Sequence, residues 1–514
     1  CALWFVPVFN PDGNDELHSA NRATQNGPQP VGKRANSQGL DLNRDFMKAE
    51  SPEVRALLGL FQRIDPHLFM DLHTTNGSAH GYQLTYAPSL STSLDPRLDA
   101  FVHERFIPAV RETMAKQYGY RVFDYGNFDR TDGGDPKSWT TYDHKPRCVF
   151  NYFGLRNRIS MLSEAYSYLP FRDRALATRA FVLANLAELV RRKDELLKLC
   201  AAADRTLLAG QGKLGHASRL TDPVRGEVLV GKVERGAGRR LLATDVSRPV
   251  TMDVRVRFRA TEQLAHPRAW AVVGASELVR QTLQLHGVEV VRLIEPIDVK
   301  VERFEIAGRS KARMSYQGHR ETRLTGRLVA GTARLPAGAW IVPATQRTAR
   351  VAAVLLEGHS EDSLACWNFF DRVLADDTAG YPVLRVMEVP AWKTERLPAD
   401  GAVPVHAPYR LIRAQPPAGA LRVKVVCVKP GERRGDPDFG RGVRWRGREL
   451  LWSAGEQQSS SLVGLLGALG QALKQRQPVV LVPGPRVTNA ELLNACSELD
   501  KAGVRQILLQ REPE

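Results

Sequence analysis

Residues 51–73 read SPEVRALLGLFQRIDPHLFMDLH, and this stretch predicts a helix followed by a buried strand. Ser51 is a favoured N-cap, Pro52 suits the first helical turn, and an amphipathic pattern runs on to Ile64. The segment HLFMDLH is a short apolar run typical of a strand. Helices that alternate with strands in this way are characteristic of α/β proteins.

The same alternation extends over residues 1 to about 205 and predicts an α/β domain there. The predicted strands are 5–9, 67–73 and 158–166, and the predicted helices are 51–64, 95–119, interrupted before Pro108, and 172–203. From 220 to about 420 most segments alternate apolar and polar residues, which predicts a β-rich accessory domain. Its strands include 227–234, 250–260 and 297–308, and its helices include one at 360–374. Residues 421–514 read as a small α+β module.

The length of 514 residues suggests two to four domains, and a hydrophobic content of 43% is that of a soluble globular protein. A net charge of +16 raises the question of nucleic acid. The basic residues are spread along the chain and mixed with acidic ones, so we expect no nucleic-acid partner. The six cysteines form no CxxC pair, which argues against a cysteine metal site.

The segment GKRANSQGLDLNRDF (32–46) holds Arg34, Asn43 and Arg44 within a short distance along the chain. Asn43 and Arg44 follow an alternating stretch that we expect to be extended. Through the loop between them, Arg34 can return beside the other two side chains. Two guanidiniums and an amide form a planar set of donors suited to a carboxylate. Ordinary surface arginines are the alternative interpretation of this segment alone.

Two further side chains lie at the ends of predicted strands. His73 closes HLFMDLH and could be a packed histidine or a metal ligand beside an anion site. Glu164 lies near the end of the apolar strand RISMLSEAY. A carboxylate there would be partly desolvated, which raises its pKa toward that of a general base.

Five features follow one another along the chain: NPDG (10–13), Arg34, NR (43–44), DLH (71–73) and an apolar strand ending in glutamate. This order resembles that of the zinc carboxypeptidases of the carboxypeptidase A superfamily. The resemblance implies a mixed sheet with helices on both faces and Zn²⁺ as cofactor. It further implies that His73 is a zinc ligand and that Asn43 and Arg44 hold the C-terminal carboxylate of the substrate. Arg34 would stabilise the oxyanion, and Glu164 would be the base toward zinc-activated water.

The family also closes a tyrosine over its substrate, and Tyr142 is the candidate by its interval before Glu164, with Tyr152 as the alternative. The HxxE motif that supplies two zinc ligands should precede NPDG, where this chain has no room for it. The one HxxE present, His286 to Glu289, is interpreted as coincidental. We therefore expect an N-terminally truncated catalytic domain that binds zinc poorly and is inactive by itself.

Two other classes of function stay open. One is a non-catalytic pseudo-enzyme of the same fold that binds peptide C-termini or cell-wall peptides. The other is a cell-envelope scaffold, suggested by a resemblance of the C-terminal strand–helix–strand, with its KAG at 501–503, to the ExbD/TolR family. A plain βαβ interaction module is the alternative there. The expected partners are peptide or protein C-termini, no membrane span is visible, and the zinc carboxypeptidase resemblance implies a periplasmic or secreted protein.

Overall fold

The computed structural model describes residues 2–129, 133–375 and 380–397, together with six short strands between residues 410 and 509. It contains two compact units, Cys1–Ala402 and Val403–Glu514. The first unit holds the predicted catalytic and accessory regions. The boundaries predicted within and after this unit stay a prediction.

The described helices all lie in the first unit. The α-helices are α1 (Pro11–Asp15), α2 (Pro52–Ile64), α3 (Pro96–Phe101), α4 (Ile107–Tyr118), α5 (Val149–Gly154), α6 (Phe171–Arg191), α7 (Lys193–Leu208), α8 (Glu277–Leu285) and α9 (Ala349–Leu356). Two 3₁₀ helices span Leu42–Arg44 and Val373–Ala375, and a π-helical turn, Val102–Phe106, joins α3 to α4. This turn is the interruption predicted before Pro108.

The strands of the first unit are β1 (Leu68–Thr74), β2 (Leu84–Pro88), β3 (Val122–Asp124), β4 (Asn127–Phe128), β5 (Ser138–Thr140), β6 (Ile159–Ala165), β7 (Lys213–Leu220), β8 (Val224–Arg235), β9 (Leu241–Arg255), β10 (Phe258–Ala265), β11 (Ala269–Val272), β12 (Val291–Leu293), β13 (Ile297–Lys311), β14 (Thr322–Leu335), β15 (Trp340–Pro343), β16 (Val383–Val386) and β17 (Thr394–Arg396). Those of the second unit are β18 (Arg410–Leu411), β19 (Leu421–Val428), β20 (Glu449–Ala454), β21 (Gln457–Ser459), β22 (Val479–Pro483) and β23 (Ile507–Leu509).

The sheet that positions the site has the strand order β1-β6-β2-β3 and is mixed. β1 and β6 run parallel, β6 and β2 run antiparallel, and β2 and β3 run parallel. Leu68 and Met70 pack in one apolar cluster with α4, α6 and α7, whereas Phe69 packs in another with α2 and α5. Because neighbouring strand residues point to opposite faces, helices cover both faces of this sheet. The predicted fold class is confirmed.

The accessory region is joined to the sheet by one continuous core. A seven-stranded sheet has the order β14-β13-β16-β11-β15-β12-β17, and β13 and β14 form its long hairpin. Phe46 and Phe153 from the catalytic region share a buried cluster with Trp270, Leu283 and Trp367 from the accessory region. This shared core holds the β13–β14 hairpin against the catalytic region.

Three local predictions are wrong. No strand forms at 5–9, where Phe5 is 73% exposed, because no neighbouring strand pairs with this segment in the described sheet. The segment 360–374 forms consecutive turns rather than a helix. Its Asn368 has a φ of 69°, a left-handed conformation that a helix cannot continue through. The predicted helix 172–203 is divided at Arg192 into α6 and α7.

In the second unit the six strands form one sheet in the order β18-β23-β22-β19-β20-β21. β22 and β23 run parallel and supply the two strands of the predicted C-terminal strand–helix–strand. The helix between them and its KAG, on which the ExbD/TolR resemblance depends, lie outside the described residues.

Candidate functional site

The site begins where β1 and β6 end. In their parallel register His73 lies directly opposite Glu164, and Nδ1 of His73 is 3.9 Å from Oε1 of Glu164. Nε2 of His73 contacts Oδ2 of Asp71 at 2.6 Å, two residues back on the same strand face. The carboxyl ends of neighbouring strands are where α/β proteins commonly bind ligands. The sheet therefore brings together the two strand-end residues that the sequence predicted.

Glu164 is an unusual carboxylate because it is buried and incompletely satisfied. Its Oε2 has no hydrogen-bond partner among the described residues. Burial raises the pKa of Glu164 to about 7, although the neighbouring His73 charge works against this rise. Burial opposes protonation of His73, but the Asp71 carboxylate outweighs it and raises the pKa of the imidazole to about 9. A carboxylate whose pKa lies near neutrality is suited to accept and return a proton.

The NPDG segment fixes the backbone at Arg34. Asn10 accepts a hydrogen bond from the Gly13 N–H at 3.0 Å, and its own Nδ2 donates to the Arg34 carbonyl at 2.9 Å. A Cβ on Gly13 would lie 2.7 Å from the carbonyl oxygens of both Lys33 and Ala35. Glycine is needed here because the two chain segments approach so closely.

Asp41 organises the segment that carries Arg34, Asn43 and Arg44, which we call the clamp. Its carboxylate accepts from Arg34 Nε at 2.7 Å and from the Asn43 N–H at 3.1 Å. The second contact caps the 3₁₀ helix Leu42–Arg44, so the extended conformation predicted for residues 40–42 is found at Asp41 and ends at Leu42. The loop thus brings the Arg34 side chain and the Asn43 backbone N–H to one carboxylate.

Asn43 and Arg44 reach toward the segment that holds Tyr142. Asn43 Oδ1 accepts from the Val149 N–H at 2.9 Å, and its Nδ2 donates to none of the described residues. Arg44 Nη2 donates to the Tyr142 hydroxyl at 2.7 Å, and its guanidinium lies 5.2 Å from the centre of the tyrosine ring. Tyr142 is 49% exposed, so it can move without disturbing a core.

The alternative tyrosine and the histidine of the isolated HxxE contact each other in the core. Tyr152 is fully buried, and its hydroxyl lies 2.8 Å from Nδ1 of His286. His286 Nε2 donates to the Met47 carbonyl at 3.0 Å, so Nδ1 accepts from the tyrosine. Both ring nitrogens of His286 are therefore engaged in the core. Neither Tyr152 nor the pair His286 and Glu289 is placed to serve the site.

Sequence reasoning missed two charged residues at the site. Asp71 contacts His73, and the two-residue period of a strand could have identified it. Arg22 is half-buried and adopts a φ of 50°. Burial and the nearby Arg34 charge lower the pKa of Arg22, whereas the Asp41 and Glu164 carboxylates act to raise it. No local pattern distinguishes Arg22 from the other arginines of the chain.

The described donors at the site do not meet the needs of a catalytic zinc ion. A catalytic zinc takes three protein ligands and an open position. No group of three His, Cys, Asp or Glu side chains is arranged to hold a metal within the described part of the chain. His73 is the one predicted ligand, and its Nε2 is engaged by Asp71. These residues by themselves do not fit a zinc ion.

Comparison with known proteins identifies the first part of the chain. Residues 1–152 match the family described as zinc carboxypeptidase. This region is a zinc carboxypeptidase-family domain. The family implies zinc and peptide substrates with free C-termini. The predicted site residues Arg34, Asn43, Arg44, His73 and Tyr142 all lie within the matched region, and Glu164 lies just beyond it.

Relatives extend the likeness past this domain. "Carboxypeptidase 2" of Trichophyton tonsurans is 24% identical over 403 residues, which cover 74% of this chain and 68% of the relative. "Carboxypeptidase 2" of Trichophyton rubrum is 23% identical over 396 residues with the same coverage. "Probable carboxypeptidase 2" of Arthroderma benhamiae is 25% identical over 374 residues, which cover 70% of this chain and 66% of the relative. No solved structure matches the chain significantly.

Proposed function

We propose that this chain acts as a metallocarboxypeptidase that hydrolyses C-terminal peptide bonds, with Glu164 as general base. One observation carries the proposal: Glu164 is a buried carboxylate with an unpartnered oxygen, opposite His73 and within electrostatic reach of Arg34 and Arg22. The family of residues 1–152 and the carboxypeptidase names of the relatives support it.

Asn43 and Arg44 of the clamp would hold the terminal carboxylate of the substrate. Arg44 presents a guanidinium, and Asn43 an amide with an unused donor, from one 3₁₀ helix that Asp41 caps. Charge-assisted hydrogen bonds of this kind are about twice as strong as neutral ones. Tyr142 would cover the bound terminus, since its hydroxyl and ring already contact Arg44.

The reacting groups would be Glu164 and Arg34. The ionised Glu164 would accept a proton from the attacking water and return it to the leaving amine. Arg34 is oriented through Nε by Asp41, and its Nη1 and Nη2 donate to none of the described residues. These two groups are free to stabilise the oxyanion that forms at the scissile carbonyl.

Zinc is part of the proposal because the zinc carboxypeptidase family implies it, but the described residues do not form a complete zinc site. No step above is therefore assigned to the metal. The same finding favours a second candidate, a non-catalytic protein that binds peptide C-termini or cell-wall peptides. A periplasmic or secreted location is proposed from the family. None of the described helices is long and apolar enough to cross a membrane.

Binding is tested with N-acetyl-alanyl-phenylalanine and its C-terminal amide, titrated by calorimetry into the full chain. We expect the free acid to bind at least about 10-fold more tightly than the amide, because only the acid carries the charge that Arg44 recognises. Arg44→Ala should abolish this preference. Arg334→Ala is the control for loss of an arginine elsewhere, because Arg334 is an exposed arginine of strand β14 that pairs with Asp298. Equal binding of acid and amide by the parent contradicts the proposal.

Hydrolysis separates the two candidate functions. Peptide is incubated with the chain and Zn²⁺, and released C-terminal amino acid is measured. Release that a chelator stops, and that Glu164→Gln loses while still binding the free acid, supports the peptidase. Selective acid binding without any release supports the non-catalytic protein for this chain. Release that Glu164→Gln retains in full shows that Glu164 is not the base.

A further inference from the structure

The tip of the β13–β14 hairpin, residues 312–321, comes from the accessory region and reaches the clamp. Its turn is Tyr316–Gln317–Gly318–His319, closed by backbone hydrogen bonds of 2.7 and 3.0 Å between Tyr316 and His319. The two central residues, Gln317 and Gly318, have φ values of 53° and 82°. Such a turn favours Asn, Asp or Gly at its first central position, so glutamine is an unusual occupant.

From this turn position, the Gln317 side chain contacts the segment that carries the clamp. Its Oε1 accepts a hydrogen bond from the Asp41 N–H at 2.8 Å. The Asp41 carboxylate in turn holds Arg34 Nε at 2.7 Å and the N–H of Asn43 at 3.1 Å. A side chain 276 residues away along the chain thus supports the residue that orients two parts of the clamp.

Neighbouring contacts fix the tip in place. The Tyr316 ring lies 6.5 Å from the Trp367 ring and 5.8 Å from the Arg147 guanidinium. His319 Nε2 lies 2.9 Å from a carboxylate oxygen of Glu50. The turn is therefore held to the catalytic region on both sides of Gln317, and its strained residue has a defined position.

We propose that Gln317 is a positioning residue of the C-terminal carboxylate site, acting through Asp41 on the 3₁₀ helix that carries Asn43 and Arg44. The inference rests on the proposed function and extends it to a residue outside the zinc carboxypeptidase-family domain. Without the glutamine, the Asp41 N–H loses its partner, and we expect the segment that carries Asn43 and Arg44 to be fully ordered only when a substrate binds. Ordering a loop on binding lowers affinity, and a preorganised one avoids this cost.

The experiment titrates the full chain with N-acetyl-alanyl-phenylalanine and with its amide. Gln317→Leu removes the acceptor, and we expect it to weaken free-acid binding about 3- to 10-fold, the effect of one hydrogen bond. Amide binding should change less than 2-fold in this variant, because the amide makes little use of the clamp.

Gln317→Gly separates positioning from support of the fold. Glycine adopts the left-handed conformation without strain, so this variant should resist urea at least as well as the parent. It should nevertheless weaken free-acid binding as Gln317→Leu does. In a background of Arg44→Ala, Gln317→Leu should have little further effect on the free acid, since Gln317 acts through the helix that carries Arg44.

The outcomes are distinguishable. If the parent prefers the acid, and Gln317→Leu and Gln317→Gly bind the acid as tightly as the parent does, the inference is overturned while the proposed function stands. An equal loss from Gln317→Leu with and without the Arg44 guanidinium also overturns it. A parent that does not distinguish acid from amide overturns the proposed function and this inference with it.

Discussion

A buried ion pair between Arg147 and Asp362 joins the catalytic and accessory regions, and its removal gives the most demanding prediction. Arg147 Nε donates to Asp362 Oδ1 at 2.6 Å, and the backbone N–H of Arg147 donates to Oδ2 at 2.8 Å. Both side chains are buried, and the guanidinium lies 4.5 Å from the centre of the Trp367 ring. Glu321 also pairs with Arg147 but is partly exposed.

We expect Asp362→Ala to lower the free energy of unfolding of the first unit by about 3 kcal/mol. Breaking a buried pair by removing one partner costs about 3–5 kcal/mol, because the remaining charge is buried without compensation. The lower end applies here, since Glu321 still neutralises part of the Arg147 charge. The double variant Arg147→Met with Asp362→Leu should lose much less, since apolar residues of similar volume can replace such a pair at little cost.

Urea unfolding followed by circular dichroism and by tryptophan fluorescence measures these values. Fluorescence is informative because Trp367 is fully buried beneath the guanidinium. Asp298→Ala is the control: it breaks the exposed pair with Arg334 and should change stability by about 1 kcal/mol or less. A loss below about 1 kcal/mol for Asp362→Ala, or a double variant as unstable as the single one, would refute the argument that burial of an unpaired charge decides the effect.

Two further predictions concern the clamp loop and the core. Gly13→Ala should lower the free energy of unfolding by about 1–3 kcal/mol, because its Cβ would lie 2.4 Å from Asn10 Nδ2 and 2.7 Å from two carbonyl oxygens; Gly134→Ala, with no atom within 4 Å, should be neutral in the same urea titration. Burial lowers the pKa of His286 to about 3, below its ordinary value of about 6.5. Its neutral form thus stabilises the protein above pH 6.5, and the stability is lost as the pH falls toward 3. The stability difference between the parent and His286→Asn should therefore shrink by about 1.4 kcal/mol per pH unit well below pH 6.5, and a constant difference would contradict a neutral buried histidine.

Apolar runs predicted two strands of the site's sheet, because such runs report burial directly. Strands β1 and β6 were identifiable in this way, whereas β2 and β3 were not predicted. Hence His73 and Glu164 could be placed at strand ends, and the raised pKa of Glu164 could be predicted from its apolar neighbours. The strand expected at 5–9 failed on the same logic, since an apolar run forms a strand only where another strand is available to pair with it.

The remainder depended on contacts that no local pattern encodes. The 3₁₀ helix at Leu42–Arg44 exists because Asp41 caps it, whereas the alternation of LDL alone favours an extended chain. Gln317 is a hairpin-turn residue by sequence, and its contact with Asp41 joins positions 276 residues apart. Arg22 likewise comes within electrostatic reach of Glu164 only when the chain is folded.

The base and the clamp are positioned by different parts of the molecule, and this difference has consequences for how the site can vary. Glu164 is fixed by strand register, because a shift of one residue would turn it to the other face of the sheet. The clamp lies on a loop whose supports are side-chain contacts, including one from the accessory hairpin. The proposed role of Gln317 therefore predicts that substitutions in that hairpin alter how tightly a C-terminal carboxylate is held while leaving Glu164 in place.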